Sequence, residues 1–251
     1  MFKTVAAADA AQAIHPQPCA AEDGPLAGDS RDVHGGRQIA GGRCNQRVEH
    51  QGGALFVKDA YVSAPIVADD FGVKLERSTL NVPGHPGPVL ASERGGVLLD
   101  SVTVVGDIVC GGTLGFSACN TSVKGDIHTT QFCPEKNVHI EGRVRVAAAS
   151  TLVGSGCHVD AMELSPAASY PDFPPNLCLL PGASVGRVEC PIPGTRILLG
   201  RNASIREVVG GTNVKVSRSD SLQGEDDGSC PIMSAWNFGR RPMGLPPEPP
   251  K

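Results

Sequence analysis

The feature that most constrains this chain is a repeated phrase. Ser101 to Ile108 reads SVTVVGDI, and Thr121 to Ile127 reads TSVKGDI, so Val-x-Gly-Asp-Ile occurs twice at a 19-residue interval. The wording extends in both directions. A small or polar residue followed by Val or Ile occurs as Thr103-Val104, Ser122-Val123, His139-Ile140, His158-Val159, Ser184-Val185 and Ser204-Ile205. The intervals between the aliphatic members are 19, 17, 19, 26 and 20. In the first three copies Gly106, Gly125 and Gly142 stand two positions on, and Ile108, Ile127 and Val144 four on. In the last three the next aliphatic comes after three positions, at Met162, Val188 and Val208. Val82 with Gly84 reads as an earlier, weaker copy. A second marker, Val153, Leu179 and Leu199, precedes Val159, Val185 and Ile205 by six, with small Cys157, Ala183 and Ala203 four residues into each. LGRNAS (Leu199–Ser204) and LGFSAC (Leu114–Cys119) share the form aliphatic-Gly-x-x-Ala-x.

A fixed period of this length means one supersecondary unit repeated, each copy burying its apolar face only against its neighbours. Short strands stacked ~4.8 Å apart place like residues in columns, and Gly supplies bends that a side chain would obstruct. The expected fold is all-β, a single-stranded parallel β-solenoid (β-helix) with disordered N- and C-terminal tails. A β-sandwich also offers short strands and frequent turns, but gives no reason for repeated wording. Composition agrees with the solenoid: 31 Gly, 21 Pro and only 4% aromatic residues leave a core of small and β-branched side chains. Residues 1–50 lack periodicity and are expected to be a disordered arm, 51–216 the solenoid, and 217–251, ending GLPPEPPK, a Pro-rich disordered tail.

The net charge of −4, with no long basic run, argues against nucleic acid as a partner. No apolar stretch approaches the ~20 residues a transmembrane segment needs. The opening MFKTVAAADAAQAIHPQP, interrupted by Asp9 and Gln12, is a poor secretory signal. A cytoplasmic location is therefore expected, with secretion without a clear signal peptide as the alternative. Nine Cys without a Cys-x-x-Cys pair read as free, mostly buried thiols, with no metal site. Neither a P-loop, a Gly-x-Ser-x-Gly elbow nor His-Glu-x-x-His occurs, and no cofactor is expected.

Few residues offer chemistry. Asp107 and Asp126 fall one rung apart and would serve as acid and base, or simply as turn residues in a surface ladder that Arg143 neutralises. His139 and His158 share a column with Ser122, Ser184 and Ser204. Strand alternation points them outward, with no acidic partner identifiable by position. His128 is equally anonymous, and Cys157 reads as packed rather than reactive. The 26-residue interval holds SPAASYPDFPPN, whose Tyr170, Asp172 and Phe173 mark an interaction loop. Insertions in solenoids map to loops on one face.

The rungs VVGDIVCGG, VKGDIHTT and IEGRVRV resemble those of bactofilins over roughly residues 97–165. That resemblance implies a polymer-forming cytoskeletal β-helix with disordered flanks and no catalytic site. The Pro-rich insertion and altered strand step of the later half depart from it. The single hexads resemble left-handed β-helix acyltransferases, and a pectin-lyase-like carbohydrate enzyme is a third solenoid form. Three functions follow: a non-enzymatic structural or interaction protein with a protein partner or self-association, a solenoid enzyme acting on carbohydrate or acyl groups, or a secreted bacterial effector or surface factor.

Overall fold

The computed structural model describes residues 21–24, 36–69, 71–112, 115–169 and 171–219. They form a parallel β-solenoid of about nine turns without a helix. Each turn runs through three walls. In the fourth turn these are Gly96–Asp100 (wall 1), Thr103–Val105 (wall 2) and Ile108–Cys110 (wall 3). Each pairs in parallel with its counterpart in the fifth turn, Phe116–Cys119, Ser122–Lys124 and Ile127–Thr129.

The aliphatic column legible in the sequence is a physical column. Val104, Val123, Ile140, Val159, Val185 and Ile205 pair in sequence along wall 2. Cys44, Val62 and Leu80 continue it at the other end. On wall 3, Ile108, Ile127, Val144, Met162 and Val188 form a second buried column. Each such side chain removed from water contributes about 1.5–3 kcal/mol. The step from four residues to three arises at one place. The register shifts between Ile140 and Arg143, the corner loses a residue, and from His139–Ala147 onward walls 2 and 3 share one continuous strand.

Two corners shape the triangle. The corner after wall 1 carries a residue of positive φ in every turn, among them Asp59, Arg77, Ser101, Asn120, Asn137 and Asn202. A small or β-branched buried residue follows each, as Ala60, Ser78, Val102, Thr121, Val138 and Ala203. Asn and Asp tolerate the left-handed conformation. Arg77 is held there by a two-pronged hydrogen bond to Asp59 one rung below (2.8 and 3.0 Å). The second corner is the glycine column: at Gly125 and Gly142 an added Cβ would lie 2.3 and 2.2 Å from the carbonyl oxygen of the preceding glycine.

Wall 1 is interrupted. Its upper sheet ends at Phe132–Lys136 and a separate four-stranded sheet begins at Ser150–Val153. Pro134 explains the break. Its carbonyl accepts the Gly154 N–H (2.7 Å), but the N–H that would point the same way is missing.

Four expectations need correction. The strands Gly36–Ala40, Arg43–Cys44 and Val48–His50 build a turn inside the stretch assigned to the arm, so among the described residues the stack already includes 36–50. Residues 1–20 and 220–251 lie outside the described residues. Leu80, not Val82, occupies the column, because the Pro-Gly connection at residues 82–89 is an insertion before wall 3. LGFSAC and LGRNAS are not equivalent: Ala118 lies within a wall 1 strand opposite Leu99, whereas Ala203 follows the corner. Finally, Cys44 and Cys119 are disulfide-bonded rather than free.

Candidate functional site

Four surface features can engage something outside the core. The first lies on the outer face of wall 2. His139 and His158 are in register, with rings stacked 5.0 Å apart at 15°. His158 Nε2 lies 3.1 Å from Asp160 Oδ1, and Nδ1 lies 2.8 Å from Ser184 Oγ on the next rung. In the neutral imidazole Nε2–H donates to Asp160, because a carboxylate only accepts, and Nδ1 then accepts the Ser184 hydroxyl proton. Ser184, His158 and Asp160 thus form a hydrogen-bonded relay. A shallow depression of about 140 Å³ beside it is lined by Gly186, Ser204 and Arg206. Gly186 is required there, since its Cβ would meet the Asp160 carbonyl oxygen at 2.4 Å.

The acidic partner that the sequence reading did not find is two residues from the imidazole, in His158-Val159-Asp160. His139 has the same relation to Glu141, at 3.6 Å. Alternation along a strand puts residues i and i+2 on one face, and this was the available signal.

Asp107 and Asp126 do stand one rung apart, but each carboxylate is already engaged by backbone. Asp107 Oδ1 accepts the Asp126 N–H (2.8 Å), and Asp126 Oδ1 accepts the Arg143 N–H (2.9 Å). Arg145 adds a 3.6 Å ion pair to Asp126, a 3.2 Å bond to Glu163 and a contact with His128.

The interaction loop forms the third feature. Tyr170 lies outside the described residues, and Asp172 is exposed. Phe173 is 64% exposed and overhangs a groove of about 600 Å³. The floor is an outward column of wall 1, Asn176, Arg196 and Lys215, in successive rungs. Two cations one rung apart beneath an aromatic ring suit an acidic, extended partner.

The fourth feature is the C-terminal end of the solenoid. Val208 and Val216 occupy inward positions of walls 3 and 1, yet are 39% and 52% exposed because no described rung follows. The N-terminal end differs. Ile39, Cys44 and Val48 are buried there, and Ala21–Gly24 pairs antiparallel with the edge strand Gly36–Ala40.

The free thiols are chemically quiet. Burial pushes Cys110 and Cys157 up to about 12, and Cys133 and Cys190 up to about 11. Cys178, half-buried on wall 1, is raised by the same cause. Among the described residues no cluster of three or more His, Cys, Asp or Glu is placed to hold a metal ion. No helix among them is long and apolar enough to cross a membrane. Compared with known protein families, curated proteins and solved structures, the chain has no match.

Proposed function

We propose that this is a non-enzymatic structural or interaction protein that self-associates through the C-terminal end of its solenoid. The last described rung carries the reading: its inward Val208 and Val216 are 39% and 52% exposed, beside strand edges that no described strand pairs. Such edges template pairing with another chain, and solenoids need a polar cap to remain single. The antiparallel strand at the opposite end favours a closed two-fold dimer, end against like end, over the open filament of a bactofilin-like polymer. The groove beneath Phe173 supplies a second contact, for a protein partner carrying acidic side chains. Sedimentation of the full chain from 1 to 100 μM tests the assembly. A monomer–dimer equilibrium that Val216→Asp abolishes and Ser217→Asp leaves intact is expected. A wild-type chain that stays monomeric throughout refutes it.

A second reading rests on the Ser184–His158–Asp160 relay, which has the connectivity of an acyl-transfer site. It predicts turnover of p-nitrophenyl acetate that Ser184→Ala removes. Equal rates for the two proteins dispose of it. The disulfide-bonded Cys44 and Cys119 support an oxidising compartment, and hence the secreted alternative over the cytoplasmic one.

A further inference from the structure

Charge on the outer faces of the solenoid is arranged so that one rung neutralises the next. Lys58 stands in register with Glu76, Lys124 with Glu141, Arg145 with Glu163 and Arg187 with Glu207, and each pair is joined at 3.2–3.6 Å. Where like charges meet, a third group compensates. Glu163 and Glu189 fall opposite each other, and Arg143 reaches both, at 4.0 and 3.6 Å.

One register breaks this pattern. On the last two described rungs of wall 1, Arg196 lies directly opposite Lys215. No other register among the described strands sets Lys or Arg against Lys or Arg. Like charges placed directly opposite each other in a sheet destabilise it. Both side chains are exposed, and neither has an ion-pair or side-chain hydrogen-bond partner among the described residues. The preceding rung offers only the neutral Asn176, and Asp172 of the neighbouring loop does not line the groove that the two cations floor.

The groove narrows what can compensate them. Phe173, Pro174, Gly194 and Asn213 complete its lining, so no carboxylate belongs to it. The exposed Phe173 ring asks for an apolar group beside the negative charge. Gly194 keeps the corner open. It has φ +83°, and a Cβ there would lie 3.6 Å from Pro174 Cγ. The groove opens to solvent, which suits a chain that enters and leaves rather than a small molecule enclosed on most sides.

Spacing sets the pattern of that chain. Arg196 and Lys215 are stacked along the solenoid axis, one rung or ~4.8 Å apart at Cα. In an extended segment, residues i and i+2 share a face about 6.8 Å apart, and i+1 turns the other way. The long, flexible stems of Arg and Lys splay over the difference. A segment lying along the axis thus sets two carboxylates on the two cations and turns the residue between them towards the overhanging Phe173. We propose that the groove binds an extended acidic-apolar-acidic segment of a partner protein. The proposal rests on the reading of the groove as a protein contact. It does not involve end-to-end association, because the segment crosses the strands instead of adding to a sheet edge.

The test is an amide NMR titration of the isotope-labelled full chain with acetyl-Gly-Ser-Asp-Leu-Asp-Ser-Gly-amide, at neutral pH and low salt. The signals of Asn176, Arg196 and Lys215 are expected to move and saturate, and about 0.5 M NaCl should weaken the binding severalfold. Lys215→Glu should weaken it at least about tenfold, because one cation is lost and a repelling charge is gained. Arg201→Glu makes the same change in net charge at the far corner of wall 1 and should cost less than about twofold. Phe173→Ala should cost about fivefold. A peptide with adjacent acids, Asp-Asp-Leu in place of Asp-Leu-Asp, should bind several times more weakly. Equal affinity for it overturns the proposal and leaves the coarser reading of an acidic protein partner standing. Equal affinity for Asn-Leu-Asn, or groove signals that move with neither acidic peptide, overturns both. Succinate that binds as tightly as the peptide overturns the proposal in favour of a free dicarboxylate.

Discussion

Replacing Gly125 by alanine tests the central claim about how the turns stack. Gly125 has φ +155°, a conformation essentially confined to glycine, and forcing alanine into it costs about 1–3 kcal/mol. The added Cβ would lie 2.3 Å from Gly106 O and 2.5 Å from Gly106 C, and 3.0 Å from Asp107 Oδ1. The first two atoms are backbone and cannot swing aside. Relief requires the fourth and fifth turns to part locally, which strains the Gly106 N–H bond to Lys124 O (2.8 Å) and the Asp126 N–H bond to Asp107 (2.8 Å). Each is worth about 1 kcal/mol, so the total loss comes to about 3–5 kcal/mol. With a urea m-value of about 2 kcal/mol/M, the unfolding midpoint should fall by roughly 1.5–2.5 M, followed by circular dichroism in the β band. Gly84→Ala is the matched control. Gly84 also has positive φ (+71°), but nothing lies within 4 Å of its added Cβ. It should lose only about 1–2 kcal/mol. A Gly125→Ala loss no larger than that of Gly84→Ala would refute the stacking argument.

Three further outcomes are expected. Thr151 is an inward wall 1 residue in register with Leu177, and its buried hydroxyl has no hydrogen-bond partner; Thr151→Val should therefore stabilise by about 1–2 kcal/mol in the same urea assay. Native alkylation at pH 8 should label Cys178 first, whereas Cys110 and Cys157, held near 12, should react about three orders of magnitude more slowly than a free thiol. Because these thiols are raised above their unfolded value, their contribution to stability is full below pH ~8.5 and disappears as pH rises towards 11–12, so the unfolding midpoint should drop over that interval. The Arg77 hydrogen bonds hold the Asp59 carboxyl below the usual range. Its stabilising effect is present above pH ~3.9 and lost as pH falls through the folded value, and Arg77→Ala should return the Asp59 titration, followed by NMR, to the ordinary carboxylate range.

The inward columns were legible because side-chain period, spacing and residue type coincide. Val104 and Val123 announce a rung as plainly as their 19-residue interval. The first corner was not legible, because its requirement is conformational. Asp59, Arg77, Ser101 and Asn120 share a positive φ but no chemistry, and only the buried residue after each hints at it. The first turn was missed since its column member is Cys44 rather than an aliphatic, and its strand is two residues long. For the surface the difficulty lies in which rung meets which. Asp160 sits beside His158 by simple alternation, whereas Ser184 is 26 residues on and becomes its neighbour only because the intervening loop is excluded from the stack.

Pro134 carries a mechanical consequence. The hydrogen bonds of a solenoid run along its axis, so a pull from end to end loads every rung in series and the weakest plane yields first. Between the sixth and seventh turns walls 2 and 3 are held by the long ladder from His139 to Ala147, while wall 1 contributes little more than the Gly154–Pro134 bond and the isolated bridge at Lys136 and Ser155. Two walls hold and one gapes. Under tension the rod should open there like a hinged case, bending away from wall 1 before any rung is lost. A single imino acid thus sets both the place and the direction of its compliance.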